Sequence, residues 1–271
     1  LKKWTASPYI IWSVIFIVFP LFLVLGFSLT KAGHVGATFE NYRRLLDPIY
    51  ISVFTRSLNL ALLSTIICLV LGYPLAAILA GTNKKYRNII VMLFILPMWM
   101  NFLLRTYAWM AILGKNGFIN TTLKLVGLPT VKLLYTDGAV LLGMVYNFLP
   151  FMVLPIYTVL SKMDKSIIEA AQDLGANRLR VFIKVIFPLS APGVLSGITM
   201  VFMPAVSTFV ISRLLGGGQY MLLGNLVEQQ FLWVGDWHFG SAISIVMMII
   251  ILISMAVMAK YDKDESGAGL W

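Results

Sequence analysis

The sequence predicts an all-α, polytopic membrane protein with six transmembrane helices and a helical element on the cytoplasmic side. Three observations lead there. The 271 residues are 59% hydrophobic and 12% charged, with a mean hydropathy of +0.88, outside the range of soluble chains. Six apolar stretches each approach the roughly 20 residues a helix needs to cross a hydrocarbon core. Nearly all the charge falls between them, as it must where lipid offers neither charges nor backbone groups a partner.

The first stretch runs from about Tyr9 to Leu29. Lys2 and Lys3 before it resemble the start of a secretory signal, but the stretch is long enough to span and no small-x-small cleavage pattern precedes Lys31, so a retained helix is expected. Leu1 is not an initiator methionine, and the natural chain is expected to begin earlier. The second runs from Ser57 to Ala80, where Gly72, Ala76 and Ala80 form a stripe that lets another helix approach closely. The third, Ile89 to Ile112, carries Arg105, the one formal charge well inside a span; about 24 Å along the helix, it is expected to reach the outer interface. The fourth runs from Ala139 to Leu160, the fifth from Ala191 to Ser212 and the sixth from Ser241 to Ala259. Pro20, Pro74, Pro97, Pro150, Pro155 and Pro204 lie within spans, as expected where helices bend around a cavity.

Orientation follows from the basic residues. Lys2, Lys3, Lys84, Lys85, Arg87, Lys162, Lys165, Arg178, Arg180, Lys184, Lys260 and Lys263 fall on one side, which is expected to be cytoplasmic with both termini. Lys31, Arg43, Arg44, Arg56, Lys115, Lys124, Lys132 and Arg213 are spread over longer connections on the other. The net charge of +10 suits anionic lipid rather than nucleic acid, since no Lys/Arg run exceeds two residues.

The connection at about residues 161–190 is too long for a simple turn. Ser166 and Glu169 make a Ser-x-x-Glu capping box, Ile167, Ile168, Ala170, Ala171 and Leu174 supply an apolar face, and Gly175 suits a left-handed helix end. Asn177 can cap a second helix starting at Arg178 and running toward Pro188. A helix-turn-helix of this kind fits either a groove on a partner or the lipid surface.

Glu169-Ala170-Ala171-Gln172-Asp173-Leu174-Gly175, nine residues, then Val185-Ile186-Phe187-Pro188 resembles the EAA-x3-G-x9-I-x-L-P motif of binding-protein-dependent ABC importer permeases. Val185 and Phe187 depart from it conservatively. Gly72-Tyr73-Pro74-Leu75-Ala76 also looks like these permeases, and the resemblance covers nearly the whole chain as a single permease domain, residues 1–271. It implies a bacterial plasma-membrane location and a coupling helix seated in a cleft of a partner ATPase. Glu169, Ala170, Ala171, Asp173, Leu174 and Gly175 would form that contact, Glu169 making polar contacts, the alanines permitting close approach and Gly175 setting the turn. It further implies a second homologous permease, an ATPase dimer that binds ATP and Mg, and an extracytoplasmic substrate-binding protein docked on the outer connections.

Asn41-Tyr42-Arg43-Arg44-Leu45-Leu46-Asp47-Pro48, Leu149-Pro150-Phe151-Met152-Val153, Leu222-Leu223-Gly224-Asn225, Gln230-Phe231 and Asp236-Trp237-His238-Phe239-Gly240 resemble the permeases of spermidine/putrescine importers. Iron, sulfate and molybdate permeases share parts of this pattern. With no carboxylate inside a span, a flexible cation would be met by aromatic faces and amide oxygens. Trp99, Asn101, Tyr107, Trp109, Tyr146 and Asn147 are the candidates, each of which could equally be an interfacial aromatic or a packing amide.

Other chemistries lack their residues. The single cysteine, Cys68, allows no intrachain disulfide or cysteine metal cluster. His34 and His238 lie in outer connections, so an intramembrane hydrolase has no base. Gly216-Gly217-Gly218 is not followed by Lys-Ser/Thr, so no phosphate loop is present and ATP must be bound elsewhere. No catalytic, metal-binding or cofactor-binding residue is expected. A secondary transporter or channel would be expected to show buried ion-coupling carboxylates, a carbonyl filter or internal repeats.

Overall fold

The computed structural model describes residues 7–31, 33, 36–218 and 220–267, and the elements among them are helices. Lys2, Lys3 and His34 lie outside the described residues. Five helices are long and apolar enough to span: Pro8–Ser28, Pro48–Gly81, Asp137–Lys162, Arg178–Ser207 and Trp237–Met258. They are the first, second, fourth, fifth and sixth spans.

The third predicted span is broken. Lys84–Trp99 and Phe102–Leu113 are separate helices, and the path turns by 89° between Lys85–Trp99 and the stretch Phe102–Leu125. Pro97 has no N–H for the carbonyl four residues back, Met100 is extended at φ −73° and ψ 147°, and the Asn101 side chain accepts the N–H groups of Leu103 and Leu104 to start the next helix. Arg105 therefore stands in the first turn beyond a corner, and not far along a straight helix.

Helix ends are set by capping as much as by hydropathy. The second span begins at Pro48, earlier than the apolar run, because Asp47 accepts the Ile49 N–H; its 34 residues reach about 51 Å. The fifth is continuous from Arg178, passing through a π turn at Phe182–Ile186 in which Phe187 N donates to the Phe182 carbonyl. The same widening occurs at Val14–Val18 in the first span. In both places a Phe-Pro pair follows, and the proline ring excludes the normal bond to the carbonyl four residues back. The fifth span stops at Ser207, short of the predicted Ser212. A separate short helix, Val210–Leu215, follows.

The second, fourth and fifth spans form the core, with Met144, Met152, Val153 and Ile156 of the fourth fully buried. Small residues permit this. A Cβ on Gly197 would stand 2.7 Å from Met152 Sδ and 3.1 Å from the Met152 carbonyl, and one on Gly193 2.9 Å from the Pro155 carbonyl. Gly72 and Ala76 of the predicted stripe are buried, Gly72 against Met152 and Val153. The first span packs on the sixth near its end, where Phe27 meets Trp237 and His238, but its apolar window is otherwise uncovered among the described residues.

Ion pairs tie the end of the bundle opposite Gly175. Arg44 bonds Asp236 at 2.8 Å and lies 4.0 Å from the Phe239 ring, while Arg56 bonds Asp137 at 2.8 Å. Asp236 also accepts the Phe239 N–H, capping the sixth span. Partial burial pushes the Asp236 carboxyl up, but the Phe239 N–H and the Arg44 guanidinium outweigh it and hold the group below its ordinary value. A depressed folded value means the contribution is complete above the unfolded carboxylate range and lost as pH falls through the folded one. Amide-exchange protection of the first turn of the sixth span is expected to be constant down to about pH 4 and to fall below it. Asp236→Asn should flatten that dependence.

Candidate functional site

The helix-turn-helix forms where the sequence places it. Its first helix is Lys165–Asp173, capped by Asp164, whose side chain accepts the Ser166 N–H at 3.0 Å. This corrects the expected capping box at Ser166: Asp164 lies two residues earlier and takes the Ser166 N–H, so the helix starts at Lys165. Those bonds hold the exposed Asp164 carboxyl below its ordinary value. At the other end Leu174 N donates to the Ala170 carbonyl, Gly175 N to Gln172 and Ala176 N to Ala171. Gly175 stands at φ +80°, where a Cβ would be strained. Asn177 then caps the second helix through the Arg180 N–H at 2.8 Å.

Nothing in the first helix is buried. Glu169, Ala170, Asp173 and Gly175 are exposed, Ala171 is half-buried and Leu174 is 89% exposed. Ile167, Leu179 and Ile183 are exposed as well. An apolar surface held in a defined shape by two side-chain caps and a glycine turn is uncovered among the described residues.

The other candidates gather only in part. Trp109 and Tyr146 stack edge to face at 5.4 Å, and the Arg105 guanidinium stands 5.9 Å from the Tyr146 ring. Trp99 and Tyr107 are exposed, and Asn101 spends its side-chain oxygen on the cap. Asn147 is 3% exposed; its Nδ2 donates to the Gly143 carbonyl at 2.8 Å, and its Oδ1 is buried with no partner among the described residues.

Across the bundle, the helix Leu223–Gln229 runs into a π turn at Gln230–Val234. Asn225 binds this segment to the short helix Val210–Leu215, accepting from Ser212 and donating to the Phe209 carbonyl. Gly224 allows the approach, since a Cβ would lie 2.4 Å from the Ser207 carbonyl. Sequence inspection gave Tyr73 no role of its own, although a polar-tipped ring within an apolar run is a readable signal. Its hydroxyl lies 2.8 Å from Ser190 Oγ in the fifth span.

Residues 72–264 match the family described as binding-protein-dependent transport system inner membrane component. The spermidine/putrescine transport system permease protein PotB of Escherichia coli (strain K12) is 42% identical over 259 residues, covering 93% of this chain and 94% of that protein. PotB of Haemophilus influenzae is 38% identical over 269 residues, covering 97% and 94%. Among solved structures, a bacterial alginate ABC transporter in complex with an alginate pentasaccharide-bound periplasmic protein contains a chain that superposes with a TM-score of 0.80. That match has 17% identity and covers 95% of this chain and 92% of that one.

Proposed function

The chain belongs to the binding-protein-dependent transport system inner membrane component family and is a permease subunit of an ABC importer, and from that premise we propose that its cargo is a polyamine of the spermidine/putrescine class. The observation that carries the cargo is the 42% identity to PotB over 93% of the chain. The Tyr146 ring adds a physical argument: aromatic faces hold organic ammonium groups at about 0.5–2 kcal/mol each, weakly enough to release them. Trp109 holds that ring edge-on.

In this reading the turn element, residues 165–181, is the coupling surface. Glu169, Ala170, Ala171, Asp173, Leu174 and Gly175 meet a partner ATPase, which binds the ATP and Mg; this chain does not hydrolyse ATP. A second homologous permease completes the pathway, two ATPase copies drive it, and a soluble binding protein delivers cargo to the opposite face; the alginate transporter is in complex with an alginate pentasaccharide-bound periplasmic protein. Both termini and the coupling surface then lie in the cytoplasm, in agreement with the basic residues on that side.

ATP-dependent uptake of radiolabelled spermidine into vesicles holding the complete complex tests the cargo. Wild type should take it up, and Tyr146→Ala should lower uptake about three- to tenfold, the loss of a cation–π contact of ~0.7–1.4 kcal/mol, with ATPase assembly unchanged. No uptake by wild type would overturn the polyamine reading and turn the search to iron and oxyanions; full uptake by Tyr146→Ala would remove that ring from the pathway.

A further inference from the structure

The fifth span is joined to the turn element through a mechanical weak point, the π turn at Phe182–Ile186. Such a turn departs from the regular hydrogen-bond ladder, and bulges of this kind are sites where helices bend. A push on the turn element would be dissipated there unless something held both sides of the joint. Tyr73, 7% exposed in the second span, does so. Its ring meets Phe182, the first residue of the π turn, edge-on at 5.5 Å and 89°, and Phe187, just beyond its end, at 5.9 Å.

The hydroxyl extends the grip. It lies 2.8 Å from Ser190 Oγ, and Ser190 is 2.9 Å from the Phe187 carbonyl. A serine has one proton and a carbonyl can only accept, so Tyr73 donates to Ser190 and Ser190 donates to Phe187. Ser64, Thr65 and Thr106 turn back on their own helices, Ser64 and Thr65 to the Ala61 carbonyl and Thr106 to that of Phe102. Tyr73 instead bonds a residue 117 positions away.

We propose that Tyr73 is a positioning residue for transport. It bridges the π turn from a separate helix, so that movement of the turn element reaches the second and fifth spans together. This rests on the coupling reading of residues 165–181. Loss of the bridge lets the joint flex, and the ATPase and the far end of the bundle become mutually uninformed.

The test uses the complete reconstituted complex and reads how strongly the binding protein stimulates ATP hydrolysis, a signal that must cross the spans whatever the cargo. Tyr73→Phe keeps the rings and removes the donor; Ser190→Ala removes the acceptor. Each is expected to lower the stimulation about fivefold, the effect of one buried hydrogen bond, with basal hydrolysis and membrane insertion as in wild type. The double variant should lose no more than Ser190→Ala alone, because Ser190→Ala already removes the bond that Tyr73→Phe removes. Wild-type stimulation in Tyr73→Phe and in Tyr73→Leu, with Glu169→Lys still defective, would overturn the role of Tyr73 alone. Wild-type stimulation in Glu169→Lys as well would overturn the coupling reading beneath it.

Discussion

Gly175→Pro combined with Glu169→Lys is expected to abolish ATP-driven uptake while leaving the chain in the membrane. Gly175 stands at φ +80° and its N–H donates to the Gln172 carbonyl at 2.8 Å. Proline fixes φ near −65° and has no N–H, so the turn cannot close as observed. The cost of about 3 kcal/mol or more is on the order of a hundredfold in the population of the native turn. The second helix would leave the turn in another direction, carrying Leu179 and Arg180 with it. Glu169→Lys reverses the charge at an exposed point of the surface that remains, and a wrong charge facing a partner costs association. Neither residue packs into the spans: a Cβ at Gly175 meets no atom within 4 Å, and no residue of Lys165–Asp173 is buried. Insertion should therefore survive, and uptake together with ATPase co-purification is the measurement. Uptake near the wild-type level would sink the assignment of this surface to the ATPase.

Gly197→Leu should act in the opposite way, by preventing the bundle from forming. The new Cβ would stand within 3.1 Å of the Met152 carbonyl and 3.3 Å of its Cα, backbone atoms that can yield only by moving the fourth span. Overpacking typically costs about 1–3 kcal/mol, and a branched side chain against backbone belongs at the top of that range or above it. Gly193 faces the Pro155 carbonyl one turn away on the same side of the fifth span, so Gly193→Leu should behave alike. The expected result is loss of monodisperse protein in detergent. Gly72→Ala is the graded comparison: its Cβ meets the flexible Met152 side chain at 3.0 Å, and a small fall in melting temperature is expected. A Gly197→Leu protein that purifies and melts as wild type would show that the three-span core is not closed this tightly.

How much of this was legible in advance differs by feature. The turn element could be read residue by residue because each signal acts over a few positions: Gly175 takes the left-handed conformation and Asn177 caps through a bond to a residue three positions away. The one local error, Ser166 for Asp164, arose between two competent caps two residues apart. Hydropathy located the spans but not their ends, which depend on Asp47, Thr136 and Asp236 accepting N–H groups two or three residues further on. Pro97 was visible as a bend. That the bend becomes a 89° corner followed the extended Met100 and the cap at Asn101, a choice between kinking and breaking that one proline leaves open.

By itself, then, the sequence determined the all-helical membrane fold, the approximate spans, the helix-turn-helix with its glycine and, through that motif, the permease family. These follow from hydropathy, caps and backbone preferences, all of which act between near neighbours in the chain. Only the tertiary structure decided that Met152 fills the space left by Gly72 and Gly197, that Asn147 is buried while Trp99 is open, and that Tyr73 bonds Ser190 across the joint. Those outcomes depend on which helix faces meet. Inside a bilayer, where tails are as apolar as the side chains, that is settled by close packing and hydrogen bonds between distant residues rather than by hydrophobicity.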